Sequence, residues 1–307
     1  MKSKKITVRA KKVRKIFRYG AAELYGQNLS TMPPDKIRYL SNADHKTIVC
    51  PFKPAEPGKR PSMCIKKGGV CSIRNYCLDP AGVVTAVDEP VATCPQRFLE
   101  GDLIYEWVGS TLLGTDKPLI LSELPFLMGE RGSDKKKPLA VGKIDKVLVN
   151  ATTGTLNWCA LEMQAVYFSG MKMENDFAVM RNWTGPGIPF PPVNRRPDFR
   201  SSGPKRLMPQ LQIKVPTISR WGKKMAVIID RTFWKSLGEM REIPEISNSE
   251  IIWFVVSFLE SSGERSAINR HEIHSTTLSH AVEGLTGGTP VSLDHFEDEI
   301  RRRLEKS

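Results

Sequence analysis

Two apolar stretches flank a short polar segment near the middle of the chain. Residues 141–149 read Val-Gly-Lys-Ile-Asp-Lys-Val-Leu-Val, and residues 158–166 read Trp-Cys-Ala-Leu-Glu-Met-Gln-Ala-Val. The segment between them contains Gly154. Two apolar runs joined by a short glycine-containing segment predict a β-hairpin.

The register of this hairpin follows from the position of its turn. If the turn is centred between Thr153 and Gly154, Asp145 pairs with Glu162. Directly opposed side chains have Cβ atoms about 4.5–5.5 Å apart. Two ionised carboxylates at about 5 Å repel by roughly 3 kcal/mol at an effective dielectric constant near 20. A divalent cation would offset this repulsion, and Mg²⁺ prefers oxygen ligands.

The face of the hairpin that carries these acids also carries an amide. Gln164 shares the face of Glu162 because strand side chains alternate. A metal held by two carboxylates with an open position can activate water and stabilise charge on a phosphate oxygen, which is hydrolytic chemistry. The alternative is an exposed edge hairpin whose acids pair with Lys143 or Lys146.

The segments around the hairpin indicate an α/β fold. Residues 95–108 have the apolar spacing of a one-sided helix with a proline near its start. Strands are predicted at 119–127, 139–149, 156–168 and 225–229, and helical structure is predicted from Glu239 through 251–259 and again at 294–306. We therefore predict four segments: a basic arm and helical segment at 1–49, a cysteine-rich segment at 50–94, a core at 95–237 that includes a loop-rich insertion at 185–209, and a mainly helical region at 238–307.

Five of the six cysteines lie within 45 residues, at positions 50, 64, 71, 77 and 94. Little regular structure is expected there, because the segment is rich in Pro and Gly. In a reducing compartment such a cluster favours metal ligation over disulfides, and four thiolates suit zinc or iron. The spacing lacks a Cys-x-x-Cys knuckle, so unligated thiols are the alternative. The sixth, Cys159, is predicted to be a small buried apolar residue.

The charge and the hydropathy of the chain limit which partners and which cellular location are expected. The 307 residues carry a net charge of +13, and nine of the 46 basic residues lie within the first twenty positions, which contain no acid. This arm suits a polyanion such as nucleic acid, or serves as a solvated tail that promotes solubility. No apolar run reaches the roughly 18 residues of a membrane span, and no signal peptide is evident, so we expect a soluble cytoplasmic protein. We find no phosphate-binding Gly-Lys-Thr/Ser loop, so no nucleotide cofactor is expected.

At several ordered points the chain resembles the NotI-type restriction endonucleases, a branch of the PD-(D/E)xK nucleases. The similarity extends from about Tyr19 to Leu237. It is carried by these pieces: Cys50-Pro51-Phe52, Cys64-Ile65-Lys66, Gly69-Val70-Cys71-Ser72-Ile73, Cys94-Pro95-Gln96-Arg97-Phe98, Gly142-Lys143-Ile144-Asp145, Glu162-Met163-Gln164-Ala165, Pro209-Gln210-Leu211 and Arg220-Trp221-Gly222-Lys223-Lys224.

This resemblance implies a restriction-endonuclease-like core and Mg²⁺-dependent hydrolysis of double-stranded DNA by a type II site-specific deoxyribonuclease, usually a homodimer. Asp145 and Glu162 match the metal-binding acids, with the Met163 carbonyl as a further ligand. Gln164 stands where many nucleases of the wider superfamily have Lys, which leaves open the group that orients the attacking water. A four-thiolate structural site of iron or zinc is implied at Cys50, Cys64, Cys71 and Cys94, with Cys77 as the spare thiol.

Two other functions are compatible with the sequence: a metal-stapled DNA-binding protein without catalysis, and a repair-type nuclease of the same fold. Four arginines of the insertion are candidates for base contacts, because Arg pairs well with guanine; they are Arg195, Arg196, Arg200 and Arg206. Glu123 is either a further carboxylate of the site or a surface acid. His271 and His274 lack a third ligand nearby in the sequence. Lys214, Arg220, Lys223 and Lys224 are either phosphate contacts or solvated residues.

Overall fold

The structure is a computed structural model that describes residues 14–53, 60–129, 140–152, 154–259, 265–287 and 291–305. Most of the basic arm and Thr153 of the predicted turn lie outside the described residues. The strands are β1 (Ile16–Leu24), β2 (Gln27–Asn28), β3 (Val70–Leu78), β4 (Val84–Ala92), β5 (Leu119–Met128), β6 (Ala140–Asn150), β7 (Asn157–Met163), β8 (Tyr167–Gly170), β9 (Arg195–Asp198), β10 (Met225–Asp230), β11 (Ile251–Leu259) and β12 (Ala267–Thr276). The helices are α1 (Pro34–Asn42), α2 (Leu103–Leu113), α3 (Glu174–Arg181), α4 (Phe199–Ser202), α5 (Met208–Arg220), α6 (Arg231–Ser236), α7 (Leu278–Thr286) and α8 (Leu293–Leu304).

The chain forms two compact units, each assembled from separate pieces of the sequence. The first consists of Met1–Asp102, Ala165–Asp198 and Ser257–Asn269. The second consists of Leu103–Gln164, Phe199–Val256 and Arg270–Ser307. The predicted division into four consecutive segments therefore differs from the observed one, because strands distant in sequence pair with one another.

The first unit contains a four-stranded sheet in the order β2-β1-β3-β4 and a two-stranded sheet of β8 and β9. One prediction is wrong here: residues 50–94 contain the nine-residue strands β3 and β4 rather than little regular structure. The segment before them, predicted to be helical in part, contains helix α1 and begins with strand β1. The physical reason is that β1 and β3 satisfy their backbone groups by pairing along most of their length.

The second unit is built on a six-stranded sheet in the order β12-β11-β10-β7-β6-β5. Strands β5, β6 and β7 are antiparallel neighbours, whereas β10 runs parallel to both β7 and β11. The predicted strands at 119–127, 139–149 and 225–229 match β5, β6 and β10 closely, and the predicted strand at 156–168 begins as β7. This mixed α/β arrangement confirms that the fold is of the α/β class and is consistent with a nuclease-like fold.

Both faces of this sheet carry helices. Helix α2 packs on one face, where the rings of Trp107 and Phe254 meet edge to face at 5.0 Å. It begins eight residues later than predicted, because residues Pro95–Asp102 form 3₁₀ turns. Helix α5 lies on the other face, where Lys214 contacts Glu162 of β7.

The prediction of a mainly helical region at 238–307 is wrong for its central part. Residues Ile251–Leu259 form β11, which is buried along most of its length. The run is rich in β-branched and aromatic residues and is only nine residues long, and these features favour a buried strand beside parallel β10. The predicted terminal helix at 294–306 matches α8 as far as the described residues extend.

Candidate active site

The observed register of β6 and β7 is the one predicted from the sequence. Lys146 pairs with Leu161 and Asn150 with Asn157, so paired residue numbers sum to 307 throughout. Asp145 and Glu162 occupy the next pair of positions in this register. Their carboxylates lie close enough for Asp145 to raise the pKa of Glu162. The hairpin therefore brings the two predicted acids together on one face of the sheet.

A lysine from α5 lies between these acids. The Lys214 Nζ is 2.7 Å from Oε2 of Glu162 and 3.8 Å from Oδ1 of Asp145. Gln210, one helical turn earlier, contributes Oε1 at 3.0 Å from the same ammonium. This buried contact rules out the expectation that Lys214 is a solvated residue, and the alternative, a phosphate contact, stays a prediction. The sequence signal for the contact between Gln210 and Lys214 is their i, i+4 spacing, which puts both side chains on one face of a helix. The contact with Glu162 has no such signal.

The two carboxylates have different environments. Glu162 is 3% exposed, and burial raises its pKa to about 7, with Lys214 acting in the opposite direction and Asp145 adding to the increase. The Asp145 side chain is 58% exposed. The pair thus joins a buried carboxylate to one that solvent can reach.

Gln164 lies just beyond the end of β7 and follows Glu162 by two residues. Its backbone N–H donates to the carbonyl of Ile228 at 3.0 Å, which extends the pairing with β10. The side chain is buried. Because the pattern of alternation continues, Gln164 belongs to the same face as Glu162, as predicted.

Glu123 takes the role of a surface acid in this structure. The register of β5 and β6 puts it opposite Asp145, between the pairs Ser122–Lys146 and Leu124–Ile144. Its backbone has a φ of 55°, and its carboxylate accepts a hydrogen bond from Lys143 Nζ at 2.9 Å. Both side chains of this ion pair are at least half exposed.

The donor set of the acid pair fits a hard divalent cation. Mg²⁺ is commonly bound through one or two carboxylates, with the remaining positions filled by water and substrate phosphate. Asp145 and Glu162 meet that requirement, and the ammonium of Lys214 shows that a positive charge is accommodated beside them. Within the described residues, no group of three or more His, Cys, Asp or Glu side chains is arranged to hold a metal by itself.

Four cysteines of the first unit are linked pairwise by electrostatic coupling, although no three of the described thiols form a group tight enough to hold a metal ion in this structure. Segments around Cys50 and Cys64 are held together by two backbone hydrogen bonds of 2.8 Å, and the Cys94 N–H donates to the Cys71 carbonyl at 3.2 Å. Burial raises the pKa of Cys64, and Cys50 and Cys94 raise it further. The spare thiol, Cys77, pairs in register with Phe17 on the neighbouring strand.

This set is the one implied for the structural metal, and its soft sulfur donors suit iron or zinc. Lys66 lies among these thiols: burial lowers its pKa, and Cys94, Cys71 and Cys64 oppose that change. The distant Cys159 is a buried residue of β7, as predicted, and burial raises the pKa of its thiol to about 12.

Sequence reasoning missed a buried ion pair beside the thiols. Arg97 is fully buried; its Nε lies 2.9 Å from Glu23 Oε2, and its other nitrogens donate to Glu100 at 2.9 Å and to the Ser266 carbonyl at 2.6 Å. The guanidinium also lies against two aromatic rings, Phe52 at 4.5 Å and Phe258 at 5.0 Å. The backbone of Arg97 is bonded to Cys94, so this cluster orders the segment that carries the fourth thiol.

The candidate base-reading arginines differ in availability. Arg195 is buried and paired with Asp176, so its guanidinium is already committed to the protein interior. Arg196, Arg200 and Arg206 are exposed. His271 and His274 lie on strand β12 rather than on a helix, and His274 bonds to Glu242 and Glu272.

No helix within the described ranges combines the length and apolar character needed to cross a membrane. No curated protein matches the chain. A sequence model of the family described as restriction endonuclease NotI matches residues 35–268, which cover both the thiol cluster and the acid pair. The chain therefore belongs to the NotI family of restriction endonucleases.

Proposed function

We propose that this chain is a type II restriction endonuclease that hydrolyses phosphodiester bonds at a specific sequence of double-stranded DNA. The observation that carries the proposal is the contact of Asp145, Glu162 and Lys214 on one face of the β6–β7 hairpin. Two acids and a lysine at the end of such a hairpin provide both a place for a hard cation and a fixed positive charge for phosphate.

Each residue of this face has a distinct proposed role. Asp145 and Glu162, with the Met163 carbonyl, would hold Mg²⁺, which when bound lowers the pKa of water and neutralises charge on the phosphate. Gln164 orients the attacking water or the scissile phosphate. Lys214 Nζ contributes an ammonium that stabilises negative charge developing on a phosphate oxygen. In this proposal Lys214 supplies the positive charge that the usual lysine would supply at the position of Gln164.

The thiol cluster is proposed to be architectural. Cys50, Cys64, Cys71 and Cys94 would together hold one iron or zinc ion and so fix the segments around Cys50 and Cys64 against strand β3. The electrostatic coupling of Cys64 with Cys50 and Cys94, and of Cys71 with Cys94, supports this assignment. The buried pair of Glu23 and Arg97 stabilises the same segment from the other side.

DNA recognition requires positive charge and groove contacts. The exposed Arg196, Arg200 and Arg206 are the proposed contacts, and the basic arm adds attraction to phosphate that does not depend on base sequence. Cleavage of both strands at a symmetric site requires two active sites, so we propose that the enzyme acts as a homodimer.

The test is digestion of mixed-sequence DNA with Mg²⁺ by the wild-type protein and by Asp145→Asn. Discrete fragments that disappear with the variant support the proposal, and sequencing their ends identifies the recognition site. Binding that weakens with salt, without any cutting by the wild type, would establish the non-catalytic DNA-binding protein instead. Fragment ends without a common motif would indicate a repair-type nuclease.

A further inference from the structure

The first unit contains a surface groove of about 530 Å³. Three segments enclose it: the end of α1 with the residues that follow it, the turn that precedes β3, and helix α3 with the two residues before it. All three belong to the same compact unit. Most of the residues that line the groove are charged or polar, whereas small-molecule pockets are lined predominantly by hydrophobic side chains. The groove therefore suits a charged ligand.

Two of the four basic residues that line the groove have acidic neighbours. His45 Nδ1 lies 3.3 Å from Oδ1 of Asp44, the residue before it. Arg181, in the last turn of α3, forms an ion pair with Glu174 in the first turn. These are the two acids of the groove, and both are engaged with a basic residue of the same lining. The charge that the groove offers to a ligand therefore comes from its other two basic residues.

Lys67 and Lys172 are these two residues. Both are exposed. Within the part of the chain that the structure describes, neither ammonium group has an ion pair or a side-chain hydrogen bond. The lining thus carries two positive charges without a protein partner, contributed by two different segments of the first unit. An anion that enters the groove meets both.

Packing contacts fix the backbone that carries each of the two lysines. Phe177 of α3 packs on Gly68, where an added Cβ would lie 2.4 Å from the ring. Gly68 also has a φ of 75°, so the turn requires glycine both for its conformation and for this close approach. The carbonyl of Lys172 accepts a hydrogen bond from Arg195, whose guanidinium is buried against Asp176. The groove is therefore built without any ligand.

We propose that this groove binds the sugar–phosphate backbone of DNA, with Lys67 and Lys172 contacting its phosphates. Such contacts are favourable because each neutralised phosphate releases condensed counterions. They fix the orientation of a protein on the duplex and carry no sequence information directly. The inference rests on the proposed function, since it takes DNA as the ligand. It adds a contact that positions the duplex and that belongs to the first unit, whereas the acid pair belongs to the second.

The test is the affinity of the full chain for a fluorescent DNA duplex of mixed sequence, measured by anisotropy at several salt concentrations without Mg²⁺. Lys67→Gln/Lys172→Gln should bind more weakly than the wild type. The slope of log affinity against log salt concentration should decrease by about 0.9 for each lost phosphate contact. The loss should be similar for duplexes of unrelated sequence, because phosphate contacts do not read bases.

The chain offers a matched control beside the groove. Lys46 is exposed and follows His45 directly, but it is not among the residues that line the groove. Lys46→Gln removes the same charge from the first unit and should keep the wild-type slope. Lys67→Gln and Lys172→Gln alone should each show about half of the decrease, and they serve if the double variant fails to fold. Circular dichroism checks the fold of every variant.

Two results would overturn the inference: a wild-type slope in the double variant, or an equal decrease in Lys46→Gln. Titration with inorganic pyrophosphate adds a third. If the double variant lost pyrophosphate binding but kept the wild-type slope on DNA, the groove would hold a small phosphate ligand instead. If the slope decreased as expected but the wild type did not cut DNA, the groove would stand as a DNA contact and the proposed function alone would be refuted.

Discussion

The Nζ atom of Lys214 lies 2.7 Å from Oε2 of Glu162, although the two residues are 52 positions apart in the sequence. The contact joins helix α5 to strand β7 and supplies the buried carboxylate with a positive charge. Because Asp145 is the exposed member of the same group, the acid pair is held from inside the protein and open towards solvent.

Replacing Asp145 should abolish cleavage without unfolding the protein. Asp145→Asn removes one of the two negative charges that hold the cation, and loss of one such electrostatic contact costs about 10²–10³-fold in rate. The measurement is the rate of plasmid cleavage at saturating enzyme. Glu123→Gln is the matched control, because this neighbouring acid is paired with Lys143. Equal loss in both variants would show that Asp145 has no special role.

The affinity for Mg²⁺ should increase with pH up to about 7. Glu162 must lose its proton to bind a cation, and its pKa is raised to about 7 mainly by burial. Affinity should therefore rise up to about tenfold per pH unit below that value and level off above it. Calorimetric titration of Mg²⁺ without DNA measures this, and Glu162→Gln should bind weakly at every pH. A wild-type affinity that stays the same from about one pH unit below this pKa to about one unit above it would contradict the prediction.

In contrast to the affinity for Mg²⁺, the free energy of unfolding of the metal-free protein should decrease as pH rises. Folded Glu162 keeps its proton up to about pH 7, whereas an unfolded glutamate loses it near the ordinary value of 4.5. The folded state thus binds more protons within that window, so the free energy of unfolding decreases as pH rises through it. Urea unfolding at several pH values in a chelator measures this slope, and the slope should diminish in Glu162→Gln.

Lys214→Met should shift the pH dependence of Mg²⁺ binding to higher pH. The ammonium lowers the pKa of Glu162, so its removal raises that pKa further and shifts the pH at which the affinity levels off to a higher value. Cleavage should decrease as well, because the charge beside the phosphate is lost. Lys214→Arg keeps the charge and should restore the pH profile more fully than the rate. An unshifted profile in Lys214→Met would limit the lysine to packing.

Two cysteines of the same strand should respond differently to substitution. Cys71→Ser should lose the bound iron or zinc and lower the midpoint of thermal unfolding, since a structural metal contributes directly to folding. Cys77→Ser should retain the metal, because the pKa of Cys71 is raised by Cys94 and Cys77 is not among the groups that change it. Elemental analysis of the purified proteins and thermal scans make the comparison. Retention of about one metal per chain by Cys71→Ser would refute the assignment of ligands.

Loss of Arg97 alone should destabilise the protein more than loss of both charges of the buried pair Glu23 and Arg97. Arg97→Met leaves the Glu23 carboxylate buried without its cation, which typically costs about 3–5 kcal/mol. The double variant Glu23→Gln/Arg97→Met removes that uncompensated charge and should recover part of the loss. Urea unfolding of the wild type, Glu23→Gln, Arg97→Met and the double variant measures the difference. If the double variant were as unstable as the two single losses added together, the pair would not be coupled.

The local sequence determined the register of the β6–β7 hairpin and several strands of the six-stranded sheet. The pairing of Asp145 with Glu162 followed from a two-residue period and the position of one turn, because every side chain of an antiparallel hairpin is assigned to a face once its register is set. The strands β5, β6 and β10 were recognisable for the same reason. Residues 251–259 were misassigned, because a short apolar run fits both a buried strand and a helical segment, and only the pairing with β10 distinguishes them.

The tertiary structure alone decided which distant groups meet. The approach of Lys214 to the acids depends on how α5 lies across the sheet, and the burial of Arg195 against Asp176 depends on the contact of β9 with its surroundings. The joining of Arg97 to Glu23 spans 74 residues. No periodic pattern encodes such contacts, because they arise from the packing of whole elements rather than from the spacing of residues within one of them.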